Sequence, residues 1–538
     1  MWRRTYLLLI LVRLYFALSP SYIHPDENFQ GPEVIAGKIF SFPHHLTWDF
    51  TSSKPIRSVF PLWPVYGVPM IVLRWVWTES GKEQVAPQTV YYTLRALMFI
   101  LSFVLEDWAI HELVPSPRQR TAAVVLVASS YVTWTYQTHT FSNSIETLAV
   151  LWSLVLIQRI LENKVTGMQT LRRGNIDSKQ QRSSIFSSAL LGVLSIFGIF
   201  NRVTLPAFLL LPGLYLTPHL IRKPLSLLAL LLSALLTTLT AIITDTLFYH
   251  PSPLSLHTLL HSPSITPLHS LLYNTRPSNL ALHGLHPPYQ HLLINLPLLL
   301  GPAYPLLLTP PHQPFSPPPL RLLSALSGTA LLSLVTHAEP RFLLPAVPLI
   351  LSSVQLPRSK PLFRHFLGAW IVFNAALGVL MGVYHQGGVV PMQIWLGQQQ
   401  RGRGALEGVS AVLWWRTYSP PVWLIDGNGG EGGLETVDLM GVAVEEVMRV
   451  LERSVGGCGK GQEGKGVVLV APRSSVELDR WTGADGAGDW VFEELWFYRR
   501  HLNLDDLDFG GDGVRATVKR VVGRRGLMAW KIKSNCNI

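Results

Sequence analysis

Two carboxylates and an imidazole stand together in His24-Pro25-Asp26-Glu27, directly after the first apolar stretch of the chain. A carboxylate can take up a proton and an imidazole can orient it, so the tetrapeptide is equipped for proton transfer where membrane meets water. A solvated acidic loop is the plain alternative. A second group, His337-Ala338-Glu339-Pro340-Arg341, joins an imidazole to a guanidinium, whose fork of donors matches phosphate oxygens. The same residues also allow a simple ion pair between Glu339 and Arg341. Asp245 ends a long apolar run and is open to two readings, support of a substrate site or a loop cap.

The elements that must position these groups are membrane helices. Of 538 residues, 48% are hydrophobic and only 14% charged, and the mean hydropathy is +0.28. The apolar runs are continuous, and many approach the roughly 20 residues needed to cross a hydrocarbon core of about 30 Å. Continuous runs exclude a barrel, which alternates. The expected fold is an all-α polytopic membrane protein of about 10–12 transmembrane or re-entrant helices. Domains are expected at 1–388, the multi-pass part, and 389–538, a small α/β domain.

Charge divides the chain in the same place. Residues 1–384 hold 14 of the 33 acidic and 26 of the 44 basic side chains, a net +12, so they account for the chain's charge of +11 and the remainder is nearly neutral at −1. Basic excess in a membrane domain reflects loop Lys and Arg that set orientation. No basic-aromatic array supports a nucleic-acid partner. Cys458 and Cys536 both lie in the C-terminal part, where a single disulfide is possible. No phosphate-cradling loop, Cys-x-x-Cys, nucleophile elbow or Asn-x-Ser/Thr sequon is present.

The basic loops predict sidedness. Residues 5–22 follow Trp2-Arg3-Arg4 and read as an uncleaved signal anchor, which places 24–57 across the membrane from the cytosol. The basic stretch 159–182 reads as cytosolic. Counting onward through 185–200, 203–218 and 224–244 brings Asp245 to the lumenal side. Crossings at 291–308, 320–336, 342–356 and 365–384 then bring out His337, Glu339, Arg341 and everything after His385. Four apolar segments between residues 24 and 159, near 59–77, 90–108, 121–136 and 145–157, make an even number where an odd one is required. The Pro-punctuated Phe60-Pro61-Leu62-Trp63-Pro64-Val65-Tyr66-Gly67-Val68-Pro69 is the expected broken or re-entrant one.

Three motifs, His24-Pro25-Asp26-Glu27-Asn28-Phe29-Gln30, Phe141-Ser142-Asn143-Ser144-Ile145-Glu146-Thr147 and His337-Ala338-Glu339-Pro340-Arg341-Phe342, resemble the dolichol-phosphate-mannose-dependent mannosyltransferases of glycosyltransferase family 22, which have the GT-C fold. Within that family, Tyr273-Asn274-Thr275-Arg276-Pro277-Ser278-Asn279-Leu280-Ala281-Leu282-His283-Gly284-Leu285-His286-Pro287 resembles a fungal branch that adds the fourth mannose to GPI-anchor precursors. Gly382-Val383-Tyr384-His385-Gln386-Gly387-Gly388-Val389-Val390-Pro391 resembles it too. The likeness runs from residue 1 to about residue 395.

The resemblance implies a location, substrates and roles. The enzyme would sit in the endoplasmic reticulum membrane with a lumenal active site. It would meet a polyprenyl-phosphate-mannose donor and a GPI glycolipid acceptor among membrane lipids, without a cofactor. A β-linked mannosyl phosphate giving an α-mannoside requires inversion, hence a base for the acceptor hydroxyl and a stabilised phosphate leaving group. Asp26 or Glu27 supplies the base. The acid of the first lumenal loop holds that role in the GT-C pattern, which favours Asp26 and leaves Glu27 to orient it or bind acceptor hydroxyls. His24 would orient a carboxylate or meet the phosphate. Arg341 and His337 would bind the lipid-linked phosphate, with Glu339 and Asp245 in support.

Other readings stay open. A sister enzyme would add the third GPI mannose or act on a lipid-linked N-glycan precursor. A transporter would place its charges near the bilayer midplane on repeated, interrupted helices, whereas here they lie at segment ends. The histidines at 250, 257, 261, 269, 283, 286 and 291 invite a metal reading, yet only His257 and His261 have i, i+4 spacing and no acid accompanies them. In the C-terminal part, glycine runs at 427–433 and 456–466 separate strand-like 466–470 and 514–522. There Trp490, Phe492, Leu495, Trp496 and Phe497 are expected to form the core or its contact with the membrane part, and Asp505-Asp506-Leu507-Asp508 reads as a solvated acidic loop.

Overall fold

A computed structural model describes residues 2–81, 84–171, 178–250, 259, 261–308, 318–402, 404–425, 434–455, 466–482, 490–507, 509–511 and 513–534. Both cysteines, His257, Asp508 and most of the two glycine runs lie outside these residues. The chain forms two compact units. The first comprises Met1–Ala17, Leu46–Val68 and Arg95–Ala376; the second comprises Leu18–His45, Pro69–Leu94 and Leu377–Ile538. The expected boundary after residue 388 falls inside the second unit, which also takes in two early segments.

The first unit is helical. Its long helices are Ser142–Leu171, Ser178–Asn201, Leu205–Arg222 and Pro224–Tyr249, joined by the shorter Leu320–Leu332. Ser178–Asn201 packs against both Ser142–Leu171 and Pro224–Tyr249, and Leu205–Arg222 packs against Leu320–Leu332. Small residues set the spacing. A Cβ on Gly192 would fall 2.4 Å from the Leu230 carbonyl oxygen, and one on Gly328 would fall 2.2 Å from the Phe208 ring. Close approach of this kind is how helices gain packing where lipid offers no hydrophobic drive. Five helical segments among the described residues are long and apolar enough to cross a membrane: Ser142–Glu162, Ser184–Asn201, Pro224–Tyr249, His291–Leu308 and Lys360–Tyr384. Leu228, Leu231, Leu235 and Leu239 are all about half exposed on Pro224–Tyr249, an apolar exterior suited to lipid.

Two expected crossings take other forms, and the segment expected to be broken is interrupted. The Pro-punctuated segment is interrupted, as its prolines predict, by a π-helical turn at Trp63–Gly67 before the helix Val68–Glu79. Residues 121–136 are broken as well, into Pro117–Ala128, Tyr131–Trp134 and a 3-10 turn Tyr136–Thr138. Residues 342–356 form a 3-10 turn, Pro340–Leu343, and the buried six-residue helix Ala346–Leu351. Six residues rise only about 9 Å, far short of a bilayer. The expected basic loop at 159–182 is also partly helical, since Ser142–Leu171 runs into it.

The second unit carries a mixed five-stranded sheet in the order β2-β1-β3-β5-β4. Its strands are β1 Val409–Trp415, β2 Glu435–Met440, β3 Gly466–Pro472, β4 Trp490–Tyr498 and β5 Leu527–Ser534. β1 is parallel to β2 and β3, while β5 is antiparallel to β3 and β4. Every residue of β3 is buried, which explains its unbroken apolar run. Successive side chains alternate between two cores. Leu413, Trp415, Leu469 and Trp530 meet Val447 and Leu451 of the helix Val444–Ser454. Val412, Trp414 and Val470 face Tyr22, Val389 and Met392.

Two expectations in this region are corrected. Residues 514–522 are not a strand, because Val514–Val521 is a helix. Val514, Thr517, Val518 and Val521 follow the i, i+3, i+4, i+7 spacing of one helical face, and Thr517 and Val521 are buried. The aromatic run of β4 is not the main core. β4 is an edge strand on which Phe497 is 45% exposed, and the fully buried tryptophans are Trp414, Trp415 and Trp423.

Candidate active site

Pro25 starts the first site segment by having no N–H to donate and a fixed φ, which suits the entry to a helical turn. The turn is Asp26–Phe29, with Phe29 N–H bonded to the Pro25 carbonyl at 3.1 Å and Gln30 N–H to the Asp26 carbonyl at 3.2 Å. Asp26 and Glu27 therefore lie on a helical turn. The Asp26 N–H, which has no helical partner, donates to Nδ1 of His24 at 3.1 Å. The carboxylate Oδ1 of Asp26 lies 3.5 Å from the same nitrogen.

Exposure separates the two acids. The Asp26 side chain is 20% exposed and His24 35%, whereas Glu27 is 1% exposed. Asn28 is buried too, its Oδ1 accepting the Trp423 indole N–H at 3.4 Å. Tyr22 is fully buried, and its hydroxyl donates to the Ser419 carbonyl at 2.9 Å. Burial raises the Tyr22 hydroxyl pKa well above its usual range, with the charges of Glu27, Glu33 and Asp26 adding to the effect.

Glu33 was not singled out from the sequence. It lies in the helix Pro32–Phe40, completely buried, with Oε1 accepting the His45 N–H at 2.6 Å. Burial pushes its carboxyl well above the usual carboxylate range, against the lowering effect of that hydrogen bond. The signal was an acid inside the apolar run Pro32-Glu33-Val34-Ile35.

In the first unit, His337, Glu339 and Arg341 come together around the start of the turn Pro340–Leu343. Nε2 of His337 is 2.9 Å from Oε1 of Glu339. Arg341 donates to the same carboxylate from Nη2 at 3.1 Å and from Nε to Oε2. The ion pair is thus formed, and the imidazole shares it. The hydrogen bond that His337 donates to Glu339 raises the His337 pKa, with burial acting against it. His337 also reaches the Gly284 carbonyl at 3.3 Å, and its ring lies 5.6 Å from that of His283. The segment 283–286 thus supports His337.

Asp245 is fully buried and has the geometry of a loop cap. Its Oδ1 accepts from the Ser58 hydroxyl at 2.9 Å and from the N–H groups of Val59 and Phe60 at 2.9 and 3.2 Å. Its Oδ2 accepts from Thr266 at 2.7 Å.

The motif of residues 141–147 acquires a structural role through Arg202. Nε of Arg202 is 3.3 Å from Oε2 of Glu146, and Nη1 donates to Ser142 at 3.1 Å and Asn143 at 3.2 Å. Glu146 is completely buried. Arg202 and Arg341 both lie over the Phe342 ring, at 5.3 and 5.8 Å from its centroid. Among the described residues no three His, Cys, Asp or Glu side chains converge as a metal site.

The Alg9-like mannosyltransferase family matches residues 4–425 of the chain. GPI mannosyltransferase 4 of Aspergillus oryzae is 52% identical, with 100% of both chains covered. GPI mannosyltransferase 4 of Saccharomyces cerevisiae is 33% identical over 93% of this chain and 95% of its own. Among solved structures, ArnT from Cupriavidus metallidurans bound to undecaprenyl phosphate is 12% identical over 98% of each chain at a TM-score of 0.48, a likeness too loose to build on.

Proposed function

Because the chain belongs to the Alg9-like mannosyltransferase family, we propose that it is the inverting α-1,2-mannosyltransferase that adds the fourth mannose to a GPI-anchor precursor. The donor is dolichol-phosphate-mannose and the acceptor hydroxyl belongs to the third mannose. The observation that carries this reading is full-length identity of 52% to a GPI mannosyltransferase 4. The enzyme works in the endoplasmic reticulum membrane with its chemistry on the lumenal side.

The reaction asks for a base and a stabilised leaving group. Asp26 is the base: it alone of the adjacent pair has an accessible carboxylate, and His24 stands beside it. It takes the proton of the acceptor hydroxyl as the oxygen bonds to the anomeric carbon and the dolichyl phosphate departs with the bonding pair. Glu27, buried under the same turn, shapes the segment. Arg341 and His337 meet the negative charge of the phosphate, and Glu339 holds both cations in place. With that charge met by side chains, the transfer needs no resident cofactor. Asp245 contributes by holding the 58–60 turn.

A membrane enzyme suits both substrates. Drawing a polyprenyl chain into water costs about 0.8 kcal/mol per methylene, so donor and glycolipid are met at the bilayer boundary. The test is a microsomal assay with labelled dolichol-phosphate-mannose and a trimannosyl GPI precursor. Label appearing in a tetramannosyl product is expected. Transfer only to a dimannosyl GPI precursor or to a lipid-linked N-glycan precursor would overturn the acceptor assignment, and solute uptake without mannosyl transfer would overturn the activity.

A further inference from the structure

The turn His385-Gln386-Gly387-Gly388 takes no part in the chemistry above, yet within the second unit it grips the residues that lead into His24. The His385 carbonyl accepts the Tyr22 N–H at 3.4 Å. Burial lowers the pKa of its ring to about 4, so the imidazole is neutral and acts by shape. Its main chain therefore holds Tyr22, two residues before His24.

A second route reaches the same segment through Tyr418. Its ring meets His385 edge-on with centroids 5.3 Å apart. The same ring lies 6.0 Å from Tyr22 and 6.1 Å from His24. Edge-to-face contacts at these distances restrict ring orientation.

The turn is itself anchored firmly enough to transmit position. Gln386 adopts a left-handed φ of 48°, and its N–H donates to the Leu502 carbonyl at 3.0 Å. Its side-chain amide donates to Asn503 at 3.0 Å while its oxygen accepts the Tyr418 N–H at 3.4 Å. A Cβ on Gly387 would lie 2.3 Å from the Val383 oxygen and 2.4 Å from the Arg500 oxygen, so only glycine fits. The Gly388 N–H donates to Nδ1 of buried His501 at 3.2 Å.

We propose that His385 is a positioning residue for mannosyl transfer: its main chain and, through the Tyr418 ring, its side chain fix Tyr22, and with it His24 and the carboxylate of Asp26. The inference rests on Asp26 being the base. A base displaced by a fraction of an ångström still lies in the site but loses alignment, and such displacement lowers rate more than binding.

The test uses the purified full-length protein in lipid nanodiscs with dolichol-phosphate-mannose and trimannosyl GPI precursor. Rates are measured for the wild type, His385→Ala, His385→Phe, Asp26→Asn and the double variant His385→Ala with Asp26→Asn. His385→Ala is expected to lower kcat about 10–100-fold with both KM values nearly unchanged. His385→Phe, whose ring keeps the edge contact with Tyr418, restores most of it. On the Asp26→Asn background, His385→Ala makes no further difference. Wild-type kcat in His385→Ala, a loss confined to KM, or the same fold-loss on both backgrounds would each overturn the proposal. Should His385→Ala not yield monodisperse protein, Tyr418→Leu takes its place in the cycle, with the same outcomes decisive. An inactive Asp26→Asn beside an unaffected His385→Ala removes only the positioning role, whereas full activity in Asp26→Asn removes the base assignment.

Discussion

Nδ1 of His24 accepts the backbone N–H of Asp26 at 3.1 Å and lies 3.5 Å from Oδ1 of the same residue. One imidazole nitrogen therefore touches both the first N–H of the turn and the carboxylate of the proposed base.

Asp26 and Glu27 are expected to differ sharply on substitution. Asp26→Asn should reduce mannosyl transfer about 10²–10⁴-fold, the usual contribution of a positioned base, with little change in thermal stability. Glu27→Gln, altering a buried group, should act on stability first. Transfer rates and melting temperatures in detergent check both, and an Asp26→Asn enzyme with undiminished rate would remove it from the mechanism.

The pair His337 and Glu339 predicts a pH dependence with a definite sign. Glu339 raises the His337 pKa above its ordinary value of 6.5. A raised folded value means that the stabilisation is complete below about 6.5, the unfolded value, and lost as pH climbs through the folded one. The melting-temperature gap between wild type and His337→Gln should accordingly be widest in acid and shrink toward alkaline pH. A gap that grows with pH contradicts the assignment.

Asp245→Ala should behave as a lost cap. It strands two hydroxyls and two backbone N–H groups in a buried setting, at a cost of about 2–4 kcal/mol. Asp245→Asn, which keeps one acceptor oxygen, should cost less. Unchanged stability with a raised KM for the acceptor would instead give Asp245 a direct part in substrate binding.

Arg202→Met should destabilise by about 3–5 kcal/mol, because it leaves the buried Glu146 carboxylate without its partner. Combining it with Glu146→Gln should recover part of that loss, since no charge is then stranded. A double variant as unstable as the sum of the singles would show that the two side chains act independently.

His24, Asp26, His337 and Arg341 are conspicuous by type and spacing, because ionisable groups at the ends of apolar segments stand out against a hydrophobic background. Glu33 went unnoticed, since its significance lies in complete burial and burial is set by what packs around it. The helix Val514–Val521 was mistaken for a strand because β-branched residues were weighed above their i, i+3, i+4 spacing.

Hydropathy and motif, then, were enough to determine a polytopic helical membrane protein of a mannosyltransferase family, since both are local properties of the chain. Tertiary structure alone decided which acid of the adjacent pair is accessible and that Asp245 caps a turn 185 residues away. It also decided that residues 342–356 are too short a helix to cross a bilayer. Accessibility and hydrogen-bond partnership depend on residues distant in the chain, so no local pattern encodes them.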